Sequence, residues 1–306
     1  DIAWVLNLRA SDVRYNPVFY AYLFISLSKA VLFTAPERLP EDFRGIEVRP
    51  YEEAMPALEE LARGTGCYSP DRNPASMMGI LARSRNIEGM DIPASMKSMK
   101  SKGEAEGMRR AHVLDGAAYA IFLSKLTAGD GLYDEIMLAQ MLERERSRME
   151  GYIGPSFAPI SAFGPHGAIV HYSPTEASSG LVMGHGLLVD TGSQFAFGTT
   201  DVTRTLVFGG EPTEEERTDY TLVLKGHLAL QRQRFPKGTR GVQLDVLAKQ
   251  FLWQQGESFF HGTGHGVGFH LSVHEGPQRI SSALIDVPLM PGMVVSDEPG
   301  IYKEGR

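Results

Sequence analysis

The segment that most constrains the fold of this chain is Leu187–Phe208, LLVDTGSQFAFGTTDVTRTLVF. Apolar residues precede Asp190 and follow Asp201, and a glycine-containing stretch lies between them, so the pattern predicts two strands joined by a loop. A carboxylate among such apolar neighbours is costly to bury unless a positive group meets it. The residues leave two alternatives open: an ion pair with Arg204, or a divalent metal ion held by both aspartates.

Two later segments carry further groups that can bind metal. The first, Phe260–Pro277, reads FHGTGHGVGFHLSVHEGP and holds four of the nine histidines. The second, Met293–Tyr302, reads MVVSDEPGIY and carries Glu298 after an apolar run that predicts a strand. Aspartate, histidine and glutamate form a mixed oxygen and nitrogen donor set, which suits Mn, Fe, Co or Zn better than Ca. Carboxylates that bridge two ions are what a two-metal hydrolase needs to share one activated water.

Six motifs occur in order along the second half of the chain: HYSPT after GPHGAIV, VDTGSQF, TTDVTRT, HGTGHGVG, VHEGP and SDEPGIY. With these motifs the chain resembles the catalytic domain of the aminopeptidase P family, the Xaa-Pro aminopeptidases. That family shares the pita-bread fold with prolidase, creatinase and methionine aminopeptidase. The likeness covers roughly residues 93–306, and IAWVLNLRASDVRYNPVF extends it to the domain that precedes the catalytic one.

The resemblance implies an α+β protein with two domains. Residues 1–92 are expected to form part of a smaller α/β, creatinase-type N-terminal domain, and residues 93–306 a pita-bread metallopeptidase domain. The polar segment Asp91–Gly103 favours a linker between them.

The resemblance also implies which residues bind metal. Asp190, Asp201, His265 and Glu298 fall on the positions of the family's metal ligands. They are expected to hold two divalent ions, Mn²⁺ in the first place, with Zn²⁺ and Co²⁺ as alternatives.

Three histidines fall on the family's catalytic positions. His171 matches the residue that handles a proton near the substrate. His261 and His274 match two histidines that bind the scissile carbonyl oxygen or the peptide, and Tyr302 is expected to line the pocket. His270 matches no role.

The activity implied by the resemblance is release of the N-terminal residue from peptides with proline in the second position. Two alternatives stay open. Prolidase cleaves only dipeptides that end in proline, and a catalytically dead pita-bread module would bind peptides or proteins without cleaving them.

Composition excludes several other classes. A net charge of −7 and a pI near 5.8 argue against a general nucleic-acid binder. The longest apolar run, Val18–Leu27, is shorter than the about 20 residues that a membrane span needs. The single cysteine, Cys67, excludes an internal disulfide and, with no visible signal peptide, favours a cytoplasmic protein.

A homodimer is the assembly that the resemblance implies.

The resemblance implies a fifth metal ligand that these residues do not include. In the family, the segment after EPGIY continues into a strand with the pattern Gly-Ile-Arg-x-Glu-Asn, whose glutamate bridges both ions. The 306 residues end in KEGR. They are therefore expected to be part of a longer enzyme, and by themselves to bind metal weakly or at one site.

Local patterns predict the other elements. Strands are expected over Ile2–Leu8, Phe19–Leu27, Ala30–Phe33, Ser156–Phe163 and Ala168–His171. Helices are expected over Glu52–Ala62, around Ala75–Arg83, from Glu104 to a break at Gly129–Gly131, over Tyr133–Met149, from a Thr213–Glu216 capping box to about Phe235, and over Val242–Gln254.

Overall fold

The computed structural model describes residues 1–61, 63, 66–69, 73–82, 87–89, 91–128, 132–182 and 185–305. The chain divides into two compact units, Asp1–Lys97 and Ser98–Arg306. Among the helices of these described ranges, none is both long and apolar enough to cross a membrane.

The N-terminal unit is a small α/β structure. Strand β2 lies between β1, to which it is antiparallel, and β3, to which it is parallel, while β4 pairs in parallel with β5. Buried Val31 and Phe33 pack against Ala54 and Ala57. The elements are α1 (Ile2–Val5), β1 (Tyr22–Ile25), β2 (Ala30–Phe33), β3 (Glu47–Arg49), α2 (Ala54–Leu61), β4 (Cys67–Tyr68), α3 (Ala75–Leu81), β5 (Ile87–Glu88) and α4 (Ile92–Ser98).

One prediction for this unit is wrong. Ile2–Leu8 is not a strand, because the Asp1 carbonyl accepts hydrogen bonds from the backbone N–H groups of Trp4 and Val5 and starts a short helix. The segment expected as a linker, Asp91–Gly103, contains helix α4, and the division between the two compact units lies within it, after Lys97. Asp91 caps α4 by accepting from the N–H of Ala94 at 2.9 Å, and Pro93 lies in the first turn, where proline is tolerated. Ala62 and Arg83, the expected ends of two helices, lie outside the described residues.

The second unit consists of two helix pairs, each packed on strands. Tyr119 and Phe122 of α5 and Leu138 of α6 form one core with Leu187 and Val189 of β8. The second core joins α7 and α8 to β13. The elements are α5 (Lys102–Ala128), α6 (Glu135–Arg146), β6 (Tyr152–Pro155), β7 (Ile160–Phe163), β8 (His185–Thr191), β9 (Ser193–Phe195), β10 (Gly198–Thr199), β11 (Val202–Phe208), α7 (Glu214–Gln231), α8 (Gly241–Trp253), β12 (Gly264–His265) and β13 (Arg279–Ile280).

These strands form three antiparallel sheets. Strand β8 lies between β7 and β11, β9 lies between β6 and β10, and β12 pairs with β13. The predicted pair of strands in Leu187–Phe208 is confirmed as β8 and β11. The capping box is confirmed as well: Thr213 Oγ1 accepts from the N–H of Glu216, and the Glu216 carboxylate accepts from the N–H of Thr213.

Two predicted strands of this unit are wrong. Residues Gly164–Ala168 form a 3₁₀ helix, and His171 has a φ of 57°, which no strand residue adopts. The run before Glu298 makes only isolated bridges, at Met293 to Met99 and at Val295 to Gly266. In both places the apolar residues match the sequence pattern of a strand, but the segment does not pair along its length with a partner strand. The expected break at Gly129–Gly131 lies outside the described residues.

Helices α7 and α8 cross closely at Gly226. A Cβ atom there would collide with the carbonyl oxygen of Ala248, whereas a Cβ at Gly116, on the exposed face of α5, meets nothing. We expect Gly226→Ala to destabilise the protein by about 1–3 kcal/mol, the usual cost of overpacking. Gly116→Ala should stabilise it by about 0.5–1 kcal/mol, because glycine is a poor helix former. Thermal melting of both variants checks this, and a Gly226→Ala protein that melts at or above the wild type would contradict it.

Candidate metal centre

The two aspartates meet because of the register between β8 and β11. Asp190 lies opposite Thr203, whose hydroxyl donates to Asp190 Oδ1 at 2.8 Å. Asp201 comes two residues before Thr203, and side chains two apart on an extended chain point to the same side. The pairing therefore places both carboxylates on one face of the sheet.

His265 and Glu298 are brought together by a close backbone approach. The N–H of Ser296 donates to the His265 carbonyl at 2.8 Å, and the N–H of Glu298 donates to the Thr263 carbonyl at 2.8 Å. Gly264 lies between these contacts, and a side chain there would collide with the Ser296 carbonyl oxygen. The glycines around His265 thus let the chain carrying Glu298 run directly beside it.

Three ligand atoms converge at this point. His265 Nε2 lies 3.2 Å from Asp201 Oδ2 and 3.1 Å from Glu298 Oε1. One atom each of Asp201, His265 and Glu298 lies within 4.8 Å of the others. Asp190 is not in this trio, but its carboxyl is near enough for the charges of Asp201 and Glu298 to raise its pKa.

The hydrogen bond on the far side of the His265 ring decides its tautomer. Nδ1 lies 2.8 Å from the Gly266 carbonyl oxygen, which can only accept, so Nδ1 carries the proton. Nε2 of the neutral ring then presents a lone pair to two carboxylates, and this buried atom makes no hydrogen bond in the described residues. A lone pair that faces anions is unfavourable unless a proton or a metal ion lies between them.

The pKa shifts of the cluster also favour a cation at this position. Burial and then the neighbouring Asp201 raise the pKa of Asp190 to about 7. Burial lowers the pKa of His265, but the carboxylates of Asp201 and Glu298 overcome this and raise it to about 10. Burial opposes ionisation of Glu298, yet contacts with His265 and Ser296 leave its pKa below the ordinary value. The protein groups alone therefore hold an excess of negative charge, and these residues fit a divalent cation.

The alternative partner for the aspartates, Arg204, lies elsewhere. Its guanidinium donates to the backbone carbonyl of Thr203 at 2.7 Å, and its charge acts on Tyr119. Within the described residues, Arg204 forms no ion pair with Asp190 or Asp201.

Of the three predicted catalytic histidines, His274 lies nearest to the cluster. Its ring packs edge-on against His265, with the ring centres 4.3 Å apart. Burial and then the charge of His265 lower its pKa, and His171 is near enough to lower it further. His171 is exposed and takes the left-handed backbone conformation.

His261 is engaged on both sides of its ring. Nδ1 lies 2.9 Å from the Gly262 carbonyl oxygen and therefore donates, so Nε2 of the neutral ring accepts from the Tyr302 hydroxyl at 2.8 Å. Burial, together with the charges of Glu298 and Asp190, raises the pKa of Tyr302 to about 12. For His261 to donate to an oxyanion, its contact with Tyr302 has to open, and that role stays a prediction.

Sequence reasoning missed Glu135, which anchors the loop that carries His171. This fully buried carboxylate accepts from the Phe163 N–H at 2.7 Å, from His166 Nδ1 at 2.8 Å and from the Tyr172 hydroxyl at 2.8 Å. Its contacts therefore flank His171 on both sides. A glutamate in the first turn of a helix is common, and that setting hides its role.

Comparison with known proteins places this arrangement in a family. Residues 106–306 match the model of metallopeptidase family M24, and residues 1–104 match the creatinase/prolidase N-terminal domain. The chain belongs to metallopeptidase family M24. The expected pita-bread fold with a creatinase-type N-terminal domain is thereby confirmed.

Several relatives of this M24 chain are aminopeptidases by name. The probable Xaa-Pro aminopeptidase P of Sordaria macrospora is 40% identical over all of this chain and 54% of its own length, and that of Neurospora crassa is 41% identical over 48% of its length. The X-prolyl aminopeptidase of Caenorhabditis elegans, a cytosolic enzyme with a di-nuclear active site, superposes with a TM-score of 0.94 at 35% identity. That match covers 99% of this chain and 52% of the other. The chain spans about half the length of these relatives.

The raised pKa of Asp190 can be tested on metal-free protein, kept in a buffer that contains a chelator. With a folded pKa of about 7 against an ordinary 3.8, the carboxyl's contribution to stability is complete below 3.8 and is lost as the pH rises through about 7. We expect Asp190→Asn to be more stable than the wild type at high pH, by up to about 4 kcal/mol, and equal to it near pH 4. Thermal melting at both pH values checks this.

Added Mn²⁺ is the control for this measurement, because an amide is a poorer ligand than a carboxylate. With the ion present, the wild type should melt above Asp190→Asn. If Asp190→Asn melts below the wild type at high pH in chelator, the carboxylate of Asp190 is not destabilised by its neighbours in the folded protein.

Proposed function

We propose that the protein is a metal-dependent aminopeptidase that releases the N-terminal residue from peptides with proline in the second position. The observation that carries the proposal is the convergence of one ligand atom each from Asp201, His265 and Glu298, with His265 Nε2 at 3.2 Å from Asp201 Oδ2 and 3.1 Å from Glu298 Oε1. The names of the relatives supply the substrate class.

Asp190, Asp201, His265 and Glu298 would hold two divalent ions, as in the di-nuclear site of the Caenorhabditis elegans relative. The mixed donor set favours Mn²⁺, Zn²⁺ or Co²⁺ over Ca²⁺, and Mn²⁺ is the ion that we propose. When bound, such ions acidify a water molecule and polarise a carbonyl group.

The residues around the cluster would orient the peptide and move its protons. The excess of carboxylate charge attracts a free α-amino group, which restricts cleavage to the first residue of a chain. His274 has a pKa below the ordinary histidine value, so its neutral ring can donate one hydrogen bond toward a carbonyl oxygen. His171, held by the loop that Glu135 anchors, would carry a proton to the departing proline nitrogen.

The first test measures substrate preference. Purified full-length enzyme with Mn²⁺ is given Xaa-Pro-Xaa tripeptides, the matching Xaa-Ala-Xaa peptides and Xaa-Pro dipeptides, and release of the first residue is followed. We expect cleavage of the proline tripeptides only, and its loss in chelator. Equal cleavage with alanine, or full activity after exhaustive chelation, would contradict the proposal.

The other outcomes separate the remaining readings. Cleavage restricted to Xaa-Pro dipeptides would show a prolidase. Binding of the peptides without cleavage, in a sample that contains stoichiometric metal, would show a module that has lost its catalytic activity.

The second test concerns His171. His171→Ala should lower kcat by about 100-fold or more, the usual contribution of a general acid–base group, while metal content stays unchanged. His270→Ala is the matched control, because His270 also has a positive φ, 47°, and has no assigned role. Both variants remove a histidine from a left-handed position, so a loss of kcat shared by both would reflect the backbone. Near-normal kcat in His171→Ala would make His171 a structural residue.

A further inference from the structure

Two buried carboxylates lie behind the metal cluster and outside it. Asp115 on α5 is 1% exposed and Asp245 on α8 is 4% exposed. Neither is one of the predicted ligands. Each pairs with a buried cation: Asp115 with Arg146 of α6, and Asp245 with Lys249, one turn later on α8 itself. Burying these charges is costly, and pairing removes only part of that cost.

The Asp115 pair holds the segment that leads into Asp201. Arg146 donates to both oxygens of Asp115, at 2.6 and 3.1 Å. The Thr200 hydroxyl donates to Asp115 Oδ2 at 2.8 Å, and the Ser193 hydroxyl donates to Oδ1 at 3.2 Å. Thr200 is fully buried and directly precedes Asp201. The carboxylate thus fixes the backbone on which Asp201 stands.

The Asp245 pair does the same for the other half of the cluster. Lys249 donates to Asp245 Oδ2 at 2.7 Å, and the Thr263 hydroxyl donates to Oδ1 at 2.7 Å. Thr263 is fully buried and comes two residues before His265. Its carbonyl oxygen accepts the hydrogen bond from the N–H of Glu298. One threonine therefore links Asp245 to the backbone of two ligands.

The two arrangements share a plan that pairing alone does not require. In each, a helical carboxylate accepts hydrogen bonds from a cation and also from a buried threonine within two residues of a ligand. Charge neutralisation needs the cation and not the threonine. The hydrogen bond from the threonine hydroxyl instead uses one acceptor position of the buried carboxylate to hold the segment that carries a metal ligand.

We propose that Asp115 and Asp245 are positioning residues, which act through the hydroxyls of Thr200 and Thr263 to hold Asp201, His265 and Glu298 at metal-binding separation. The inference rests on the proposed function only through its metal site. A role in stability alone would leave metal affinity unchanged in any variant that folds.

The test compares substitutions that keep the shape of the side chain. Thr263→Val and Thr200→Val remove a hydroxyl, and Thr263→Ser and Thr200→Ser retain it. Thr191→Val is the matched control: Thr191 is 1% exposed and neighbours Asp190, and its hydroxyl makes no hydrogen bond in the described part of the chain. Mn²⁺ affinity is measured by calorimetric titration, and the ligand field by the visible spectrum of the Co²⁺ protein.

We expect each valine variant to bind Mn²⁺ about 10-fold more weakly, at the lower end of the effect of losing an outer partner of a ligand. Their Co²⁺ spectra should change, while the serine variants and Thr191→Val match the wild type. Should one valine variant fail to fold, the other tests the same relation on the opposite half of the cluster.

Wild-type affinity and spectra in the valine variants would overturn the positioning role and leave the proposed function intact. The same holds if Thr191→Val loses as much affinity as they do. Wild-type protein that binds no divalent ion would overturn the proposed function, and the positioning role with it.

Discussion

The structure of the second unit depends on how it holds several carboxylates close together around one histidine. Asp201 and Glu298 converge on a single imidazole nitrogen, and Asp190 lies near enough that burial and their repulsion raise its pKa to about 7. Carboxylates gathered in this way are stable only with a cation among them, because each raises the energy of the next. The strand register, the glycines beside His265 and the backbone contacts of Glu298 all serve to impose that convergence.

The helices hold the ligand-bearing segments in place against the repulsion between the carboxylates. Behind each half of the cluster lies a buried carboxylate paired with a buried cation, Asp115 with Arg146 and Asp245 with Lys249. Glu135 plays a comparable part for the loop that carries His171. In a medium of low polarity these hydrogen bonds are strong, and an unpaired member is costly, so the site is built on contacts that tolerate little movement.

Prediction from the sequence succeeded where the signal was local. Helices α5, α7 and α8 have apolar residues at helical spacing, and the Thr213 capping box formed as expected. It failed for strands over Ile2–Leu8, over Ala168–His171 and before Glu298. A strand requires a partner, and neither the partner's position nor a left-handed residue such as His171 is written in the local pattern. The charge of Asp115 within the apolar face formed by Ala111, Ala118 and Phe122 was a signal that sequence reasoning did not use.

The sequence by itself determined the family, the order of the motifs and the donor types available to a metal ion, because these are properties of residue identity and spacing. Only the tertiary structure decided that His265 presents Nε2, that Glu298 lies beside it and that Arg204 lies apart from both aspartates. The separation of the ligands and the choice of partners are set by hydrogen bonds between segments far apart in the chain, such as Glu298 to Thr263 and Thr263 to Asp245. Such bonds exist only once the packing of helices on strands has brought those segments within about 3 Å of one another.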